Sequence, residues 1–491
     1  MLALDLGTSS VRALIFDRLG RNLGGTQIPY AWEATPDGGV EVDADALVAR
    51  VIEAVDSTTA WMGKRASEIV AVGIAALWHS LVGVGADGTA VTPVYAWSDT
   101  RAASAAQLLR GRLDEAAVHA RTGAVFHPSY VPARLMWLSE TQPAVLHSVS
   151  YWMSAAEYVT LRLFGERRVS LSMASATGLF HQNARTWDAA LLSALPVDPA
   201  QLSPLVDMNS PFRGLRPEFA SRWPALGAVP WLPPVGDGAC ANVGSGCTSA
   251  DQVALSLGTS GALRVLSRAA QVDIPPGLWC YLLDHDRFVV GGAVSNGGGV
   301  LGWMGGTLRL PPADELERAL AALLPDGHGL TVLPFFAGER SPDWSLTARA
   351  AVIGLTLSST PVEILRAAME AVVYRLVLIH RLLRGSFPEL RTIVASGGAF
   401  SRAPVWAQIL TDALGQPVAL SEESETTSRG AALLALEVVG ALPSAADAPP
   451  PLTRTIMPDP DHYARYAVAL NRYRELDRIL ADWQRGTTTP S

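Results

Sequence analysis

Apolar residues open the chain in two short runs, Leu2–Leu6 and Val11–Asp17, separated by the small polar stretch Gly7–Ser10; a second turn follows at Arg18–Gly20. Runs this short, bounded by Gly, Ser and Thr, predict strands joined as a β-meander. Further on, Asp43–Trp61 and Ala102–Arg112 read as helical segments between strands, which is the α/β pattern. Ile69 to Ala86 is the longest stretch without a charge, but it contains His79, Ser80 and several glycines. That polar centre predicts two buried strands around a turn in place of a membrane span. In the second half, Thr360-Pro361-Val362-Glu363 is a capping box with proline at the first helical position. The helix it starts is expected to run to Arg384, with Gly385 and Pro388 as its stop. A second helix is expected from Ala403 to Leu414, closed by Gly415 and Pro417. Leu436–Thr455, rich in Pro and Ala, reads as a surface excursion, and Asp459–Trp483 as an amphipathic helix docked on the body.

The pattern also repeats. Ala3-Leu4-Asp5-Leu6-Gly7-Thr8-Ser9 recurs as Ala254-Leu255-Ser256-Leu257-Gly258-Thr259-Ser260, with an arginine after each copy at Arg12 and Arg264. A Gly-Thr-Ser turn between two apolar strands, present twice, predicts a duplicated fold. The boundary is expected just before residue 250, giving domains 1–246 and 247–491, with the small-residue segment Gly236–Ala250 as the hinge.

Composition removes several function classes. With 491 residues, 49 % hydrophobic and 17 % charged, the chain buries a large core and is not disordered. A net charge of −8 argues against a nucleic-acid partner, which needs a basic face. Lys64 is the sole lysine, followed by Arg65 and with Thr58 where a Walker A glycine would stand. A Walker A loop is therefore excluded, and a protein-kinase strand lysine and Schiff-base chemistry are disfavoured. Cys240, Cys247 and Cys280 form no C-x-x-C and suit a reducing compartment, and the start MLALDLGTSS lacks a basic leader. The expectation is a soluble cytoplasmic protein with a small-molecule partner and no membrane.

Two Gly-Thr-Ser turns facing each other would direct amides and hydroxyls at one polyphosphate without any lysine. Asp5 in the first copy is Ser256 in the second. A carboxylate beside a phosphate clamp suits a magnesium ion; the alternative is a solvated or capping Asp5. Asp237, in Gly236-Asp237-Gly238, is either a helix N-cap or a general base that takes a proton from a substrate hydroxyl. Trp78-His79-Ser80 and Trp97-Ser98-Asp99-Thr100-Arg101 stand at the ends of apolar runs, where α/β sheets carry ligands. They suit a polyhydroxylated substrate, or else are an edge tryptophan and a surface ion pair. Gly297–Gly302 contains G-x-G-x-x-G but no acidic strand end follows, which disfavours a dinucleotide fold. Ser396-Gly397-Gly398-Ala399, between a strand and a helix, either lets a flat ring lie on the backbone or is simply a tight turn.

These residues together resemble the FGGY family of carbohydrate kinases, within the actin, Hsp70 and hexokinase ATPase superfamily. DLGTSSVR at Asp5–Arg12 is similar to the family's first phosphate loop and SLGTSG at Ser256–Gly261 to its second. Ala350–Glu370, GERSPDW at Gly338–Trp344 and the segment from Ser396 also fit, although Ala399 stands where a third glycine is common. The family's K-x-x-W is only approximated by Arg134-Leu135-Met136-Trp137. Within the family, WHSL at Trp78–Leu81, the W-x-D-x-R turn, SMASATGLF at Ser172–Phe180 and SRGAALLA at Ser428–Ala435 are similar to gluconate kinases.

The resemblance implies two ribonuclease-H-like α/β domains, of actin/hexokinase type, each a mixed five-stranded sheet, with ATP and sugar in the cleft between them. It implies Asp237 as catalytic base, Mg2+ near Asp5 and Asp237, and ATP contacts from Thr8, Ser9, Ser10, Arg12, Gly258, Thr259, Ser260, Gly298, Gly397, Gly398 and Arg402. Trp78, His79, Asp99, Arg101, Tyr130 and Asp237 are the implied substrate residues. Gluconate is the first substrate expectation and a pentulose such as xylulose the second; a homodimer is entertained as the assembly. A gluconate carboxylate needs a cation, and His79 and Arg101, then Arg134, are the nearest candidates, unless Arg101 merely pairs with Asp99. A regulatory ATPase of the same superfamily and a glycoside hydrolase using Asp99 and Asp237 are the rival classes.

Overall fold

The computed structural model describes residues 1–450 and 452–487, the side chains of Ser401, Arg402 and residues 485–487 excepted. The N-terminal half is built on strands β1 (Leu2–Leu6), β2 (Ser10–Phe16), β3 (Asn22–Pro29), β4 (Val72–Ala76) and β5 (Val235–Gly236). They lie in the order β5-β4-β1-β2-β3. The meander β1–β3 is antiparallel, whereas β4 and β5 run parallel to β1. Every residue of β1 is buried, as a central strand covered on both faces requires. Helix α1 (Ala44–Met62) follows the meander, and the Asp43 side chain accepts from the Ala46 amide as its N-cap.

The second half repeats the plan. Strands β6 (Gln252–Leu257), β7 (Gly261–Arg268), β8 (Trp279–Leu282), β9 (Arg287–Val294), β10 (Thr392–Ser396), β11 (Val418–Ser421) and β12 (Leu452–Ile456) lie in the order β8-β9-β7-β6-β10-β11-β12. Five of them reproduce the first sheet; β8 and β12 are additions at the two edges. The expected five-stranded sheet is thus seven-stranded: β8 pairs with β9 at one edge, and at the other the chain returning from the Pro/Ala-rich excursion pairs Ile456 with Val418.

Helix α4 (Pro361–Ser386) begins with the reciprocal Thr360–Glu363 capping box and passes through Gly385 before it ends. Helix α5 (Pro404–Leu414) closes on Gly415 in the left-handed region, and α7 (Pro460–Thr487) is the docked tail. No helix of the described residues is long and apolar enough to cross a membrane.

The segment read as a hinge is instead mostly a buried helix, α2 (Asp237–Gly244). It packs against α6 (Thr426–Val438), which lies on β1 and β4 of the first half, while α2 itself reaches β6 and β7 of the second. Glycine permits this crossing: a Cβ on Gly244 would stand 1.8 Å from the Thr426 carbonyl oxygen, and one on Gly430 1.9 Å from that of Cys240. One apolar core therefore runs through both halves.

Candidate active site

The two Gly-Thr-Ser turns lie at the carboxyl ends of β1 and β6, where an open α/β sheet presents its ligand residues. In the first, Gly7 donates to the Ser10 carbonyl at 3.1 Å and the Tyr30 amide to that of Ser9 at 3.1 Å. The Tyr30 hydroxyl donates to the Gly7 carbonyl and the Trp32 indole to that of Thr8, the latter at 2.7 Å. With all of its carbonyls occupied, the loop leaves Thr8 and Ser9 exposed. Ser10 differs from expectation. It is buried in the sheet, where its hydroxyl accepts from Gln27 at 3.0 Å, so it does not stand beside the two exposed hydroxyls.

The second turn reaches the same state with other partners. Gly298 donates to the Gly258 carbonyl at 2.6 Å, and Gly297 and Gly299 donate to that of Thr259 at 2.9 and 3.0 Å. These are the first amides of helix α3 (Gly298–Thr307). Gly298, expected as an ATP contact, thus has its amide on the Gly258 carbonyl of the loop. Gly397 has φ +113°, and a Cβ there would stand 2.4 Å from the Leu257 carbonyl oxygen, so glycine is required where β10 meets this turn. Gly398 opens the short helix beyond it; the Arg402 side chain lies outside the described residues.

Asp5 is 2 % exposed, and its Oδ2 accepts from Arg12 at 3.0 Å. Arg12 also pairs with Glu425 at 3.3 Å, bridging two carboxylates. Burial, with Asp237 and Glu425 nearby, pushes the Asp5 carboxyl up to about 6 despite Arg12. Its Oδ1 is buried without a partner. Among the described residues no three metal-ligating side chains converge. An orphaned carboxylate oxygen with a second carboxylate in its field still fits magnesium, which keeps waters and phosphate oxygens as most of its ligands.

Asp237 is the first residue of α2, with Gly236 as the N-cap. Its Oδ1 accepts from the Gly238 amide at 2.8 Å, and the Trp78 backbone amide also donates to it. Burial dominates and raises its carboxyl above the usual range. The Trp78 ring lies across the Gly-Asp-Gly backbone, where a Cβ on Gly236 would stand 1.8 Å from the indole. Ser172 holds both parts, accepting from the Trp78 indole through its carbonyl at 3.2 Å and from the Gly236 amide through its hydroxyl at 3.1 Å.

Beside Asp237 stands an aromatic wall drawn from both halves. Trp78 meets Tyr281 edge-on at 4.9 Å, Tyr281 stacks on Trp279 at 4.4 Å, and His79 meets Tyr130 at 5.0 Å. The Tyr130 and Tyr281 hydroxyls are 2.6 Å apart. His79 has φ +59° and directs Nδ1 at the Ala176 carbonyl, 2.8 Å away. Burial lowers its pKa to about 3, so it is neutral and not the expected cation.

Arg101 is also not free. It chelates Asp99 through Nε and Nη2, reaches Glu41 at 2.7 Å, and lies 4.8 Å from the Trp137 ring. The Asp99–Arg101 pair therefore shapes the strand end. Arg134 is buried and donates to the carbonyls of Pro128, His79 and Ala96. Tyr30, Trp32, Trp279, Tyr281, Arg340 and Glu425 were missed by the sequence reading. The Tyr30/Trp32 pair, two residues apart after a strand, left a signal, as did Arg340 within the GERSPDW motif; the others depend on contacts across the chain.

Residues 1–244 match the model of the N-terminal domain of the FGGY family of carbohydrate kinases, and residues 253–437 that of its C-terminal domain. The gluconokinase of Bacillus subtilis is 29 % identical, over 100 % of this chain and 99 % of that one. A gluconate kinase structure from Lactobacillus acidophilus superposes with TM-score 0.88 at 25 % identity, covering 98 % of each chain. A ligand-bound xylulose kinase from the same species gives TM-score 0.89, also at 25 % identity and 98 % of each chain. The chain belongs to the FGGY family of carbohydrate kinases.

Proposed function

We propose that this carbohydrate kinase phosphorylates gluconate, with ATP bound between the two turns and the sugar acid against the aromatic wall. The observation that carries the reading is Asp237: a half-buried carboxylate held by two amides, just beyond the carboxyl end of β5, under Trp78 and beside the wall. Asp237 takes the proton of the acceptor hydroxyl as that oxygen attacks the γ-phosphorus; the phosphoryl group passes to the sugar acid and ADP leaves. Thr8, Ser9, Thr259 and Ser260 donate to phosphoryl oxygens. Asp5 and Asp237 would hold magnesium, which when bound offsets charge on those oxygens. Contact of the two halves around the substrate keeps water from the phosphoryl group.

A pentulose such as xylulose is the second reading. It is favoured by the neutral His79 in a wall of rings, and by the likeness to xylulose kinases. ADP release measured across gluconate, xylulose, ribulose, glycerol and erythritol separates the two. Strong turnover of a pentulose with none of gluconate overturns the gluconate reading, and ATP turnover without any sugar favours a regulatory ATPase. Asp237→Asn is expected to lower kcat by about 10²–10⁴-fold while ATP still binds. Near-normal kcat in the folded variant would sink the base assignment.

A further inference from the structure

A sugar acid brings a carboxylate into a site whose three expected cations are all committed. His79 is neutral, Arg101 lies between Asp99 and Glu41, and Arg134 is spent on backbone carbonyls. One guanidinium remains at the wall. Arg340, from the second half, lies over the Trp97 ring of the first half, 4.7 Å from its centroid. It is half-buried, and among the described residues no carboxylate pairs with it. Its only hydrogen bonds among those residues run from Nε to the Ser295 hydroxyl at 3.3 Å and from Nη2 to the Val294 carbonyl at 3.2 Å.

The loop around Arg340 is fixed. Asn296 bonds Ala337 and Gly338, Ser341 donates to the Ala293 carbonyl, and Trp344 donates to the carbonyl of Arg340 itself. The adjacent carboxylate, Glu339, is turned away and bound to Arg375, so it does not neutralise its neighbour. Trp344 packs edge-on against His127 at 5.4 Å and tilted against Tyr130 at 6.0 Å, which joins this loop to the wall. The positive charge is felt throughout the site: it helps hold His79 and His127 neutral and acts on Asp237. A guanidinium kept charged, fixed in place and without a carboxylate partner among the described residues, beside an aromatic wall, is matched to a planar anion.

We infer that Arg340, braced on Trp97 and on the end of β9, binds the carboxylate of an aldonic acid substrate and sets the preference for acids over neutral polyols. The inference rests on the gluconate reading. Because the cation and its brace come from opposite halves, an acid substrate also draws the halves together through this contact. ATP phosphate is the other anion Arg340 could meet, and the test separates the two.

The test measures kcat and KM for gluconate, for ATP and for a neutral acceptor in the wild-type enzyme, Arg340→Gln and Arg340→Lys. The neutral acceptor is D-glucitol, which has a hydroxymethyl in place of the carboxylate, or D-xylulose, whichever turns over faster. Arg340→Gln is expected to raise the gluconate KM about 10- to 150-fold, the range for losing a charged hydrogen-bonding partner, with little change for the neutral acceptor or ATP. Arg340→Lys should recover part of the loss. Equal losses on gluconate and the neutral acceptor, or a rise in the ATP KM alone, overturn the inference and leave the gluconate reading standing. No gluconate turnover by the wild-type enzyme overturns both.

Discussion

At Asp5 a carboxylate sits in the central strand of the first sheet with one oxygen on Arg12 and the other without a partner. A raised carboxyl pKa means that the folded state holds its proton more tightly than the unfolded chain. Its contribution to stability is present below the unfolded value and is lost as pH rises through about 6. Asp5→Asn should therefore stabilise the fold at pH 7.5 by about 3 kcal/mol, seen as a higher Tm, and the gain should vanish as pH falls from 6 to 4. Thermal melts across pH check this; a lower Tm at pH 7.5 would show that the Arg12 bond outweighs the burial. The same variant should lose phosphoryl transfer, so the residue trades stability for function. If Asp5 and Asp237 act as proposed, both work ionised, and kcat/KM should fall as pH drops through about 6, the Asp5 value. Asp5 and Asp237 were legible in the sequence because a carboxylate in an apolar strand, or between glycines, breaks the local pattern. The charge state of His79 was not, since it depends on what buries the ring.

The two Gly-Thr-Ser turns show how one local motif is supported by different elements. The first turn is held by Tyr30 and Trp32 beyond β3, the second by the leading amides of α3. The second is also one residue shorter, closing Leu257 on Gly261 where the first closes Leu6 on Val11. Sequence repetition predicted the turns, but the supports come from unrelated segments and leave no echo. If both turns grip one nucleotide, Thr8→Val and Thr259→Val should each cost about 1–3 kcal/mol of transition-state binding, seen as a higher ATP KM or a lower kcat. Unchanged kinetics in Thr259→Val would reduce the second turn to a structural one. The capping box of α4 and the Gly415 stop of α5 were readable because they are local chemistry.

Over the whole molecule, the halves are joined through crossed helices, α2 lying on the second sheet and α6 on the first. Asp237 begins α2, so the proposed base and the packing between halves share one element. Gly430→Ala forces a methyl into the Cys240 carbonyl oxygen. It should cost about 1–3 kcal/mol and lower kcat through the displaced helix. Gly385→Ala, at an exposed helical site with nothing within 4 Å, is the control and should be neutral or stabilising. Equal melts and rates for the two variants would refute a tight crossing.

The sequence by itself determined the meander, the duplicated turns, the major helix starts and stops and the carboxylates at Asp5 and Asp237, because each is set by neighbours within a few residues. Tertiary structure alone decided which cations are free. Arg101 and Arg134 look available in sequence and are consumed by Glu41, Asp99 and distant carbonyls, whereas Arg340 has no carboxylate partner among the described residues, Glu339 beside it turning to Arg375. It also decided that Gly236–Ala250 is mainly a buried helix, since small residues that read as a flexible linker are equally what two backbones need to cross within contact distance.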